Sequence, residues 1–281
     1  MTEPSLKTIL VPDVDEARTA PVLCAAQRIA QATGARSAVM VALDVPPPMP
    51  SDWGAMAVEM YAHLYKEARA RAEARAEALK AQTRDADPPV EVRLVEARVL
   101  YPGRTAAMHA HYADLVALPT PGDDDTLAVR GWFHDVLFGG GAPVLVVPDQ
   151  VEVWLPPRRA VIAWTPTREA ARAVRDALPL LRGAQVDLVV VDAHVGERAH
   201  GEEPGADIAA HLARHGLHVN VVQLDSGKAD VADTLLGHAR ATGADLLVAG
   251  GYGRTRLREF VLGGTTRSLF DRTHIPILFS R

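Results

Sequence analysis

Two tandem α/β domains, each a parallel, doubly wound sheet of five strands flanked by helices, are predicted by this sequence of 281 residues. Three observations carry that expectation. The chain repeats itself in outline, half against half. Its apolar segments are short continuous runs of Val, Ile and Leu without polar alternation, the pattern of strands buried on both faces. Helix-forming stretches separate the runs, and a chain that alternates strand and helix closes with right-handed crossovers into a parallel sheet.

Each element can be placed in turn. Thr8–Pro12 (TILVP) opens the first half and Ala160–Trp164 (AVIAW) opens the second, and each is followed by polar turn residues and an alanine-rich helix. Gly34-Ala35 and Gly183-Ala184 close those helices, because glycine takes the left-handed conformation that suits a helix C-terminus. The next apolar runs are Ala38–Leu43 and Leu188–Val191. Ala113-Asp114-Leu115 matches Ala244-Asp245-Leu246, each starting a further run, with Gly243 as another helix cap. Ala142–Pro148 (APVLVVP) matches Ile275–Arg281 (IPILFSR). A first domain over residues 1–150 and a second over 159–281 follow, joined by Val151–Arg159 (VEVWLPPRR). The Pro156-Pro157 pair in that segment favours an extended linker. The halves differ over Ala55–Arg84, whose Ala, Glu, Arg and Lys content reads as a long cover helix. Its counterpart, Gly196–Gly216, is shorter. Two separate sheets are expected, related by a pseudo-twofold axis near Pro143–Val147 and Ile275–Phe279.

Composition narrows the function. Hydrophobic residues make up 48% and charged residues 23%, as in ordinary soluble domains. Each half is long enough to bury a core without disulfides or metals. The net charge of −5 argues against a dedicated nucleic-acid binder, which needs a basic face. No apolar run approaches a membrane span. Met1–Lys7 is polar and carries no signal core, and the lone Cys24 fits a reducing compartment, so a cytoplasmic location is expected. Cys24 lies in an apolar helical stretch and reads as a small buried packing residue.

Open α/β sheets take ligands beyond the carboxyl ends of their strands, at the point where strand order reverses. In the second half that places interest just after Trp164 and just after Val248. There the sequence runs Gly250-Gly251-Tyr252-Gly253-Arg254, and nine residues separate Gly253 from Gly263-Gly264-Thr265-Thr266, which opens a helix. Glycines let backbone N–H groups approach an anion closely, and a helix N-terminus adds free donors and a positive dipole end. The same glycines also serve as ordinary turns, so both readings stand on the residues alone.

The spacing Gly250-x2-Gly253-x9-Gly263 resembles the signature of the ATP-binding universal stress proteins, G-x2-G-x9-G-S/T. Ala244–Arg281 is similar to that family throughout, and Trp164–Leu181 looks like its first loop and helix. The resemblance extends over the chain as a tandem pair. It implies a flavodoxin-like or adenine-nucleotide-hydrolase-like fold, a role in the stress response, and ATP with Mg²⁺ as ligand. The candidate nucleotide-binding residues are Thr165, Val191, Gly250, Gly253, Arg254, Gly263, Gly264 and Thr265.

The departures from the family pattern are specific. Gly264 stands where the family has Ser or Thr, and Thr265 follows one place late. The family's aspartate after strand one, expected at the ribose, corresponds to Thr165 in the second half and to Asp13 in the first. Counting back from Pro143 and Pro276 sets Ala117 against Gly250, Thr120 against Gly253, Arg130 against Gly263 and Gly131 against Gly264. The first half therefore keeps the acid and loses the phosphate glycines, and its site is expected to be degenerate.

Other constellations carry less. Asp123-Asp124-Asp125 lacks the spacing of a calcium loop and reads as a solvated loop that repels phosphate. His211 and His215 share a helix face but have no HExxH pattern or cysteine cluster, and His109 and His111 point apart. Arg254, Arg256, Arg258 and Arg267 surround the glycine pattern, as a solvated helix face or, for Arg254, as phosphate support. No Walker loop or nucleophile elbow occurs, and no general base is evident, so turnover is not predicted. The leading expectation is a non-enzymatic, cytoplasmic stress-response module whose halves pair within the chain, with a homodimer as a further assembly. Its alternatives are an interaction module that binds no nucleotide and an ATP-hydrolysing enzyme of the same fold.

Overall fold

Strands and helices alternate within each half of the chain. The computed structural model describes residues 6–45, 54–98, 102–122, 126–149, 151, 153, 156–193, 202–251 and 264–281. The first half runs β1 (Thr8–Pro12), α1 (Glu16–Thr33), β2 (Arg36–Val45), α2 (Gly54–Gln82), β3 (Val90–Arg98), α3 (Pro102–Ala110), β4 (Leu115–Pro119), α4 (Thr126–Gly139) and β5 (Val144–Val147). The second runs β6 (Arg159–Ala163), α5 (Arg168–Ala177), β7 (Gln185–Val191), α6 (Ala206–Arg214), β8 (His218–Leu224), α7 (Val231–Thr242), β9 (Leu246–Gly250), α8 (Gly264–Arg272) and β10 (Ile277–Ser280).

Local chemistry explains the repeat. Asp15, Thr167 and Asp230 cap α1, α5 and α7 with side-chain oxygens that accept backbone N–H bonds. Gly34 and Gly243 close α1 and α7 in the left-handed region at φ 73° and 63°. Gly183 differs from expectation: α5 stops at Ala177, and Gly183 closes a turn beyond it. The matching aspartates do one job twice. The Asp114 carboxylate accepts the N–H groups of Lys7 and Thr8 at 2.8 and 2.9 Å, and Asp245 accepts those of Arg158 and Arg159 at 2.8 and 3.2 Å. Each ties the start of β1 or β6 to the start of its neighbour.

The sheet is one body of ten strands in the order β3-β2-β1-β4-β5-β10-β9-β6-β7-β8. Each half is a parallel set of five, as predicted, but the two sets are not separate sheets. They fuse where β5 and β10 pair antiparallel, with Val146 opposite Ile277, Leu145 opposite Leu278 and Val144 opposite Phe279. That pairing is self-complementary. The repeat equates Val144 with Ile277, Leu145 with Leu278 and Val146 with Phe279, so the local twofold passes through the Leu145–Leu278 pair. The expected axis is there; the expected gap between sheets is filled by backbone hydrogen bonds.

Helices α1, α2, α5 and α6 cover one face of the sheet and α3, α4, α7 and α8 the other, each face with its own apolar core. Phe133 of α4 stacks on Phe270 of α8 at 4.2 Å between centroids and meets the edge of Phe279 at 5.2 Å. All three rings are fully buried. Beside them the Arg130 fork grips Asp271 with bonds of 2.9 and 2.7 Å. Cys24 is a correction: it lies on the exposed side of α1. Among the described residues no helix is long and apolar enough to cross a membrane.

Phe133 touches both halves at their seam, so its truncation tests how far they fold as one unit. Phe133→Ala should lower stability by about 3–5 kcal/mol. Urea unfolding followed by circular dichroism checks this, and a single shifted transition is expected.

Candidate functional site

The antiparallel seam sends the two crevices to opposite ends of the sheet. Within each half all strands run the same way, so the carboxyl ends of β1–β5 and of β6–β10 face apart. The reversal of strand order lies between β1 and β4 in the first half and between β6 and β9 in the second. The residues at these two points can be compared through the strand register.

The register differs from the one counted along the sequence. Ile9 faces Leu115, and Ala160 faces Leu246; Pro119 faces Val147, and Gly250 faces Ser280. Pro119 therefore takes the place of Gly250, while Ala117 lies inside the strand where Val248 does. Continuing by count, Gly122 falls at the place of Gly253. The earlier offset ignored two residues between β9 and β10 that have no counterpart between β4 and β5. The acid shifts as well. The N–H groups of Asp13 and Trp164 donate to Met40 and Val189 at 2.8 and 2.9 Å, in equivalent positions. Thr165 is one residue further out, level with Val14.

In the second half Thr165 is exposed, and its hydroxyl is 3.5 Å from that of Thr167, the cap of α5. Val191, half-buried, ends β7 beside Asp192. Asp192 escaped the sequence reading; its carboxylate accepts the N–H and hydroxyl of Ser226 at 2.9 and 2.7 Å and pins the loop after β8. Gly264 and Thr265 are exposed in the first turn of α8, where the positive end of the helix dipole favours an anion. Gly253, Arg254 and Gly263 lie outside the described residues, as do Arg256, Arg258 and Asp123–Asp125.

Gly250 has a packing role that the sequence did not disclose. A β-carbon there would lie 2.5 Å from the backbone nitrogen of Ala170 in α5. The missing side chain lets the helix start directly against β9. Its neighbour Gly251 is buried, and a β-carbon there would meet Leu137 of α4 at 2.9 Å. The first half thus forms part of the wall at the second crevice. Arg172 extends that contact by donating to the Gly141 carbonyl at 2.7 Å.

The first crevice is filled from within. Both carboxylate oxygens of Asp13 accept from the Arg75 guanidinium, at 2.8 and 2.9 Å. The side chains are 8% and 14% exposed, and Arg75 also reaches Glu16 at 3.3 Å. The hydrogen bond to Asp13 holds the Arg75 guanidinium above the ordinary arginine pKa, against the effect of burial. Beneath α2 remains a cleft of about 170 Å³ that Asp44 and Arg71 also line. Burial pushes the Asp44 carboxyl above the usual aspartate range, opposed by Arg71. The Arg18 guanidinium sits where a β-carbon on Gly122 would be, 2.1 Å away. Arg130, set against the third glycine by counting, turns instead to Asp271.

Residues 157–281 match the model of the universal stress protein family. The second half is therefore similar to the universal stress protein family over its whole length. Solved structures extend the likeness over the whole chain. A universal stress protein from Archaeoglobus fulgidus DSM 4304 has 17% identity and a TM-score of 0.72, covering 98% of this chain and 96% of that one. A protein of Pseudomonas aeruginosa UCBPP-PA14, described as a universal stress protein, has 17% identity and a TM-score of 0.57 over 98% and 93%. A functionally unknown protein of Pseudomonas aeruginosa PAO1 has 18% identity and a TM-score of 0.57 over 98% and 92%. At these identities the likeness is one of fold. No curated protein matches the sequence. Among the described residues no group of three His, Cys, Asp or Glu could hold a metal ion, and His211 and His215 only meet edge to face at 4.8 Å.

The two glycines at the second crevice should respond differently to a methyl group. Gly250→Ala should destabilise the protein by about 1–3 kcal/mol through overpacking against α5. Gly264→Ala, which faces open space, should leave stability within about 0.5 kcal/mol. Urea midpoints of the two variants check the contrast.

Proposed function

We infer that this chain is a universal stress protein acting as a cytoplasmic, non-enzymatic regulatory module. Its second half takes one adenine nucleotide, ATP with Mg²⁺, and its first half is a fixed partner. The observation that carries this reading is the asymmetry of the two crevices. In the second, Thr165, Gly264 and Thr265 are exposed at the ends of β6 and the start of α8. In the first, the arginines Arg75 and Arg18 occupy the acid and the glycine. Polyphosphate needs several backbone donors, and a helix N-terminus with adjacent glycines supplies them. The lone cysteine suits the reducing cytoplasm.

A second reading, an interaction module without nucleotide, has its own support. Gly250 serves the packing of α5, and Gly264 replaces the hydroxyl residue of the family pattern. A third, ATP hydrolysis, would release ADP or AMP.

Titration calorimetry with ATP and Mg²⁺ separates them. One nucleotide per chain is expected, with Gly253→Val folded but unable to bind, because a branched side chain obstructs close backbone approach. No saturable binding at millimolar ligand favours the second reading. Two nucleotides per chain overturn the asymmetry, and product in the cell returns the third.

A further inference from the structure

We propose that α2 is a hinged cover over the first crevice and that the Asp13–Arg75 pair is its latch. Asp13 stands at the carboxyl end of β1, at the reversal of strand order where open α/β sheets admit ligands. Its carboxylate is spent on a guanidinium delivered from 62 residues away, by a helix that lies across β2 and β3. Both oxygens of Asp13 are engaged, and the pair is largely shielded from water.

The rest of the helix is held mainly by small side chains, with Leu79 as the large buried anchor near its C-terminal end. The side chains that α2 buries are Ala57, Ala68, Ala72, Ala76 and Leu79. Alanines let the helix approach closely but remove little apolar surface from water. At its N-terminal end Met56 and Val58 are 68% and 70% exposed. The Tyr65 hydroxyl reaches Glu96 at 2.7 Å, an exposed contact. The helix also does not fill the space under it, because the cleft beside Val41, Ala42, Ala68 and Ala72 remains. A buried, bidentate ion pair is therefore the strongest specific contact between the cover and the strand ends. Breaking it from either side leaves a charge or dipole without its partner. A ligand entering this crevice must displace the fork, so it must direct two hydrogen-bond donors at one carboxylate.

Hydrogen exchange of the full chain, read by mass spectrometry, tests the latch. Arg75→Gln and Asp13→Asn break the pair from opposite sides. In each, amides of residues 65–82 should exchange about tenfold faster or more, with the second half unchanged. The double variant should exchange no faster than either single one, since both remove the same interaction. If Arg75→Gln does not fold, Asp13→Asn carries the test, because Arg75 then keeps Glu16. Unaltered exchange in α2 overturns the proposal. So does an equal rise through β1, β2 and β4, which would make the pair a support of the core.

Discussion

The backbone ladder between β5 and β10 sets the arrangement of everything else. These are the last strands of the two halves, and each would be an open edge if its half stood alone. Unpaired strand edges invite wrong association. Here each edge satisfies the other, and Leu145 faces Leu278 on the local twofold. Because the pairing is antiparallel, the halves are turned end for end. The exposed edges of the whole sheet become β3 and β8, far from the seam.

The same ladder brings the helices beside it into contact. Phe133, Phe270 and Phe279 form one aromatic cluster across the seam, with Arg130 and Asp271 at its rim. Stacked and edge-to-face rings add to the energy of their burial. Such a seam resembles the inside of a domain more than a surface contact. It also lets one half complete the other: Leu137 closes on Gly251, and Arg172 reaches Gly141. The second crevice is thereby bounded by residues of the first half.

The two crevices have the same topology but different contents. In the first, a carboxylate and a glycine are each answered by an arginine of the chain itself. Its space is taken up by internal ion pairs and a cover helix. In the second, the shorter α6 takes the place of α2, and hydroxyls and the start of α8 face solvent. Arg75 of the long α2 and Arg18 of α1 therefore separate two sites that the repeat would otherwise make equal.

The sequence by itself determined the strand-and-helix alternation, the parallel halves and the matched aspartates Asp114 and Asp245. These are local signals: continuous apolar runs, capping residues and glycine at helix ends. It also marked the second half as the one with the family's glycine spacing. Only the tertiary structure decided the rest. The fusion of the two sheets is one such feature, because backbone pairing of β5 with β10 leaves no trace in side-chain pattern. The true partner of Gly250 is Pro119, because strand register is set by neighbouring strands and not by counting through a loop of unequal length. Asp13 is paired because α2 returns Arg75 to it over a long stretch of chain. Contacts at that separation depend on where the sheet places the two elements, and no local residue pattern encodes that.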